Sequence, residues 1–350
     1  MNTFTRLARI VTVTALIALS VTLSSKSVQA QTPAPPLPGQ VIATNLDAPR
    51  GIVFDSAGNL LVAIAGKGGD TPLTAPSTET AGETMVIKSG LSGKILSIGK
   101  DGKSTTLMDG LPSYAAPTET FGVYRIIPRG TSLWMVMNSS TPTSYWSSAV
   151  IEYDAKTLEM KRIINIRPFE VANNPDGNEV DSNAADIAWQ ADGTMLIVDA
   201  GGNSLLSWTE KNGLALVTAW KDNPVPDSIE VAANGDIYIG FLGTALAPGA
   251  GRIERWSEGK LAESFKGLNA VTDIALDGTD VYAVELLVIT EKGPGPGRVM
   301  KVNAKNSTVI AEGLVTPFGI TKGPEGAWYV SMGTIALAPG VTGSILKLNK

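Results

Sequence analysis

Apolar and polar positions in this chain alternate in short runs separated by turn residues. The clearest stretch is residues 174–220, where a polar, acid-rich loop feeds four apolar runs, DIAWQ (186–190), TMLIVDA (194–200), SLLSWTE (204–210) and LALVTAW (214–220). Between them stand Ala-Asp-Gly, Gly-Gly-Asn and Lys-Asn-Gly, turn chemistry in which Gly or Asn accepts a positive φ. Strands of five to seven residues joined by such turns predict a four-stranded antiparallel meander. No helical period is evident outside the N-terminal segment.

The meander recurs. Anchoring each copy on the Ile that begins its first strand gives Ile52, Ile126, Ile187, Ile229, Ile274 and Ile320, spaced by 74, 61, 42, 45 and 46 residues. A period in the forties with four strands per unit predicts an all-β fold, a six-bladed β-propeller. The two long spacings hold insertions at residues 66–92 and 167–183. After Ile320 only three strands remain, and GQVIATNL before the first anchor has the pattern of the missing fourth. The N-terminal strand is therefore expected to complete the last blade and close the ring, leaving no open edge. Apolar residues on both faces of runs such as MLIV suit a blade covered on each side.

The N-terminus reads differently. Arg6 and Arg9 precede an apolar stretch from Ile10 to Leu23 and then Ser27-Val-Gln-Ala30, the layout of a signal peptide cut after Ala30. The apolar stretch is too short and too polar to predict a membrane span. Residues 1–30 are thus read as the signal, 31–40 as a Pro-rich tether and 41–350 as the propeller. The expectation is an exported, monomeric protein, periplasmic or extracellular. Removing residues 1–30 takes away Arg6, Arg9 and Lys26 and no acid, moving the formal net charge from −5 to −8. With no basic run, nothing favours a nucleic-acid partner.

The chain contains no His and no Cys. Ser-His-Asp and Cys-His triads and His-ligated transition metals are excluded, so any catalysis must run on carboxylates, Tyr, Lys or an oxygen-bound metal. Topology puts the long loops at the end where first strands begin, and Arg50, Arg125, Asp186, Asp227 and Asp273 are expected beside the central channel there, as ligand-binding residues at its mouth. Three converging carboxylates suit a hard cation or acid–base work; equally, they suit pairing with the two arginines. A second candidate is the loop of residues 174–181 within the 167–183 insertion, where Asp176, Asp181 and, beside the Gly201-Gly202 turn, Asp199 have the oxygen chemistry of a calcium site without EF-hand spacing. Asx-turns account for the same residues.

FEVANNPDGNEVDSN (169–183) followed by ADGTMLIVDAGGNSLL resembles the signature region of the ScyD/ScyE family, exported propeller proteins named for scytonemin biosynthesis. VPDSIEVAANGDIYIGFL, VTDIALDGTDVYAVE and TPFGITKGPEGAWYVS are similar to its later blades, and DGLPS (109–113) to its first-blade exit, so that the likeness covers most of 41–348. This chain departs from the family at Asn183-Ala184-Ala185, where Asn-Pro-Tyr is usual, and at Val123-Tyr124-Arg125, where a polar His-Asp pair is usual. The resemblance implies compartment and fold, with no reaction attached. Two functions follow. One is a non-catalytic module binding a small molecule, glycan or protein on its long-loop face. The other is a calcium-dependent lactonase or lyase of the gluconolactonase type, with Asp186, Asp227 and Asp273 about the ion.

Overall fold

The computed structural model describes residues 37–76, 84–117, 119–138, 144–335 and 342–349. The signal-peptide expectation, most of the tether and part of 333–343, whose sequence GTIALAPGVTG nearly repeats GTALAPGAG at 243–251, lie outside these residues. No helix among the described residues is long and apolar enough to cross a membrane.

Strands pair antiparallel throughout: four sheets have four strands each, one nine-stranded sheet divides into two successive four-strand units with Thr71–Pro76 added, and Val288–Thr290 pairs with Gly293–Gly295 alone. The first comprises Pro49–Phe54, Leu60–Ile64, Thr84–Ile98 and Ser104–Ala115, and the second begins at Thr120–Arg129. These two are joined where Tyr114 and Ala115 pair with Phe121 and Thr120. The third, fourth and fifth units open with Ala184–Trp189, Pro226–Val231 and Val271–Asp277. The sixth takes Ile320–Lys322, Trp328–Met332 and Gly343–Leu348, and its outer strand is the N-terminal Gly39–Leu46, paired with Gly343–Leu348 as expected. First strands touch in a closed cycle, the sixth meeting the first. The fold is a β-propeller.

What joins the units is apolar contact between sheet faces. Trp134, Val136 and Val150 of the second unit pack on Ile187, Met195 and Ile197 of the third. Equivalent clusters sit at the first–second, fifth–sixth and sixth–first joints and between the fourth and fifth units. Each fully buried Leu, Ile or Val contributes about 1.5–3 kcal/mol. The alternating pattern thus does double duty, since both faces of a middle strand meet a neighbour.

The described residues of both insertions form regular elements. In residues 66–92, Thr71–Pro76 pairs with the first half of Thr84–Ile98, making a hairpin that lengthens the first unit beyond the ring. Gly69 and Gly90 let its base close, since a Cβ on Gly69 would lie 2.6 Å from the Gly90 Cα. In residues 167–183 there is a helix, Arg167–Asn173, which the lack of helical period did not predict. Seven residues are too few to show a period. The local signals are Pro168 in the first turn and Asn174 at φ 37°, ending the helix in the left-handed conformation.

Candidate functional site

Each of the first five units carries a β-bulge near the start of its first strand, and the candidate residues sit on or beside it. The register shifts fall between Pro49 and Ile52, Val123 and Arg125, Ala184 and Asp186, Pro226 and Ser228, and Val271 and Asp273. A bulge bends the strand and re-aims a side chain. The strands bury Arg50, Arg125, Asp186, Asp227 and Asp273 at the ring centre, at 2, 5, 7, 1 and 8 % exposure.

Arg125 is the hub. Its Nε lies 3.5 Å from Asp186 Oδ2 and its Nη2 lies 3.4 Å from Asp273 Oδ1. Nη2 also donates to the Thr272 carbonyl at 2.6 Å and to the Asp227 carbonyl at 3.4 Å. Asp227 Oδ1 accepts from the Tyr124 hydroxyl at 2.7 Å. Arg50 turns aside, donating to the Thr120 carbonyl at 2.8 Å and standing 3.3 Å from Glu119. Tyr124 and Phe318 meet edge to face at 4.8 Å, and both guanidinium carbons stand 4.7–5.4 Å from these rings. Buried aromatic rings and guanidinium groups therefore fill the ring centre at this level.

The carboxylates also join units. Asp186 accepts from the amide of Ile187 in its own strand and of Ile229 in the next unit, at 2.8 and 3.2 Å. Asp273 does the same with Ile274 and Ile320, at 3.1 and 2.8 Å. Their titration reflects burial. Desolvation raises Asp186 to about 7 against the opposing pull of Arg125, and raises Asp227 to about 7 against Arg125 and the Tyr124 hydrogen bond. Asp273 is raised for the same reason. For Arg125, burial disfavours the charge, yet Asp273, Asp186 and Asp227 outweigh it and the pKa is raised.

The open part of the channel faces the other way. A cavity of about 380 Å³ has Arg125, Asp186 and Asp273 along its wall and runs past Glu230 and Val231 to Trp189 and the exposed Arg129, at the ends of the first strands where the short turns lie. Arg129 stacks on Trp189 at 4.5 Å. Glu230 retains some surface towards the cavity, but protein encloses it, and burial with Asp186 and Asp273 nearby raises it to about 8. Tyr124, Phe318, Glu119 and Glu230 were not singled out from sequence. For Tyr124 a signal existed, since it precedes Arg125 at a position already marked as unusual; the others had none.

The second candidate group gathers on the Asp199–Asn203 turn. Asp199 accepts from the Asn183 amide (2.6 Å), the Gly202 amide (3.1 Å) and the Ser182 hydroxyl (2.8 Å). Asp176 accepts from Asn178 and from Asn203 Nδ2 at 2.9 Å. Asp181 accepts from the Ser182 amide at 2.8 Å and stands 3.9 Å from Arg167. Glu170 of the helix, unforeseen in the sequence, joins them: burial first, then Asp199, Asp176 and Asp181, raise it to about 8. Burial and Asp199 likewise raise Asp181 to about 6. Among the described residues no three Asp or Glu side chains are already arranged around one point as metal ligands, in the channel or here.

No protein-family model matches this chain, and no curated protein does. Solved structures do. The chain is similar to a soluble aldose sugar dehydrogenase from Escherichia coli (12 % identity, 89 % of this chain and 98 % of that one, TM-score 0.55). It is similar to a putative oxidoreductase (glucose dehydrogenase) from Thermus thermophilus (14 %, 89 % and 100 %, TM-score 0.52). A Bacteroides thetaiotaomicron protein of unknown function matches at 11 % over 87 % of this chain and 70 % of its own, with TM-score 0.52. Identities this low establish the propeller fold alone.

Proposed function

We propose that this chain is an exported, ScyD/ScyE-like, six-bladed propeller that serves as a non-catalytic binding module, holding a small molecule, glycan or protein partner on its long-loop face. One observation carries the reading. The channel residues that an enzyme would need free are bound to one another and to the backbone, with Tyr124 and Phe318 filling the space between them. Asp186 and Asp273 also line the cavity on the short-turn side, but both oxygens of each are held by strand amides, whereas a general base needs a free oxygen. The hairpin of residues 66–92 and the helix Arg167–Asn173 add surface where long loops already stand, and function on a rigid ring commonly resides in such loops.

The test compares the intact chain with a variant in which residues 68–88 are replaced by a short Gly-Ser link. Both are applied to glycan and small-molecule arrays and assayed for lactone hydrolysis with added calcium. The expected result is array binding by the intact chain, its loss in the variant at unchanged melting temperature, and no turnover by either. Binding indifferent to the hairpin counts against the proposal. Calcium-dependent turnover abolished by Asp227→Asn with Asp273→Asn would replace it with the lactonase reading.

A further inference from the structure

We propose that the joint between the helix Arg167–Asn173 and the Asp199–Asn203 turn is a calcium site, independent of the channel. Four carboxylates reach it from different parts of the chain: Asp199 from a strand end, Asp176 and Asp181 from the loop, and Glu170 from the helix. Glu170 is 1 % exposed, yet its Oε1 has no hydrogen-bond partner. The side chain points at the turn, since a Cβ on Gly202 would stand 2.7 Å from Glu170 Oε2 and 3.1 Å from Asp199 Oδ2. A Cβ on Gly201 would stand 3.0 Å from Asp181 Cγ. Glycine at both positions lets these acids approach the turn.

A second kind of oxygen is left over in the same segment. Asn183, whose amide N–H bonds Asp199, has a buried Oδ1 without a partner. Arg167, 3.9 Å from Asp181, offsets one of four acidic charges. Buried acceptors without donors call for a cation. Calcium takes six to eight oxygens in flexible geometry, mixing carboxylate, amide carbonyl and water, whereas magnesium demands a regular octahedron. Asp176 and Asp199 spend their oxygens on N–H and O–H donors that hold the loop. The proposed protein ligands are Glu170 and Asp181, both facing the turn, with Asn183, whose backbone nitrogen also stands beside Gly201, and water completing the shell. Such an ion would pin the helix and its loop to the third unit.

Calcium chloride titrated into the chelator-treated full chain, followed by calorimetry and thermal melting with magnesium as control, tests the site. One ion should bind saturably and raise the melting temperature by several degrees. Glu170→Gln should weaken binding at least about tenfold, because ligand charge sets affinity in such sites. Asn183→Ala should weaken it in the same direction, while Glu230→Gln, in the channel, should bind as the parent does. Glu170→Gln keeps the side-chain shape and removes a charge, so its calcium-free melt should equal or exceed the parent's, separating lost binding from lost folding. Absence of heat and of any shift at millimolar calcium would overturn the proposal, leaving a proton on Glu170 to neutralise the cluster. Unchanged affinity in Glu170→Gln would overturn it as well.

Discussion

At the scale of single residues, the centre of the ring shows how burial changes what a charged side chain is for. Arg125 faces Asp186 and Asp273 at ion-pair distance in a space nearly free of solvent. Taking such charges out of water costs several kcal/mol each, and their attraction recovers this only with good geometry. The arrangement is best understood as specifying which strands meet. Tyr124 isolates one contribution. Asp227 Oδ1 accepts its hydroxyl at 2.7 Å, and Asp227 Oδ2 has no partner. Tyr124→Phe should therefore cost about 1–3 kcal/mol, the penalty of an unsatisfied buried acceptor. With Asp227 titrating at about 7, the loss should be larger at pH 8, where the group is ionised, than at pH 5. Urea unfolding at the two pH values checks this, and an equal loss at both would assign the effect to packing. Arg125→Met should cost more, about 3–5 kcal/mol, because it leaves two buried carboxylates without their counter-charge.

At the scale of elements, the N-terminal strand Gly39–Leu46 has the largest role for its length. It is the outer strand of the sixth unit, and a Cβ on Gly39 would overlap the Lys347 carbonyl oxygen, so the backbones there are in close contact. Without it, the Gly343–Leu348 strand becomes an edge, and exposed edges template aggregation. A chain beginning after Leu46 should melt less cooperatively and scatter light on heating; unchanged calorimetry would show that the strand only decorates the unit. This strand was legible in the sequence because a closed ring leaves one strand short at the C-terminus. The bulge-borne residues were legible too, each standing at or just before an anchor Ile. What the sequence did not show was their mutual distance. Tyr124 and Asp227 are 103 positions apart, and only the closure of the first strands into a ring brings them to hydrogen-bond contact. The helix Arg167–Asn173 escaped for the opposite reason, since two turns leave no periodic trace and Glu170 reads in sequence as one more surface acid.

At the scale of the whole molecule, the buried acids should make stability depend on pH in an unusual direction. Desolvation raises Asp186 and Asp227 from 3.8 to about 7, and Glu230 from 4.5 to about 8. Between pH 4 and 8 the unfolded chain releases these protons first, so the folded state binds more protons and stability falls as pH rises. Above about pH 8 both states are ionised and the dependence flattens. Acids at the surface act in the opposite sense: half-buried Asp154, held by the amides of Thr157 and Lys156, and exposed Glu325, bonded to Lys347 and Tyr329, are lowered to about 2 and lose their contribution only as the pH drops below about 4. The two effects together place the maximum near pH 5. The melting temperature should decline by several degrees from pH 5 to 8, corresponding to on the order of a few kcal/mol, with much of the possible sum removed because the three groups share Arg125. Glu230→Gln, which cannot ionise, should make the decline shallower throughout and, between pH 7 and 8, leave only the part due to Glu170, also raised to about 8. A melting temperature that rises steadily from pH 5 to 8 would mean that Arg125 holds Asp186 and Asp227 ionised throughout, and that the ring centre is a fully charged network.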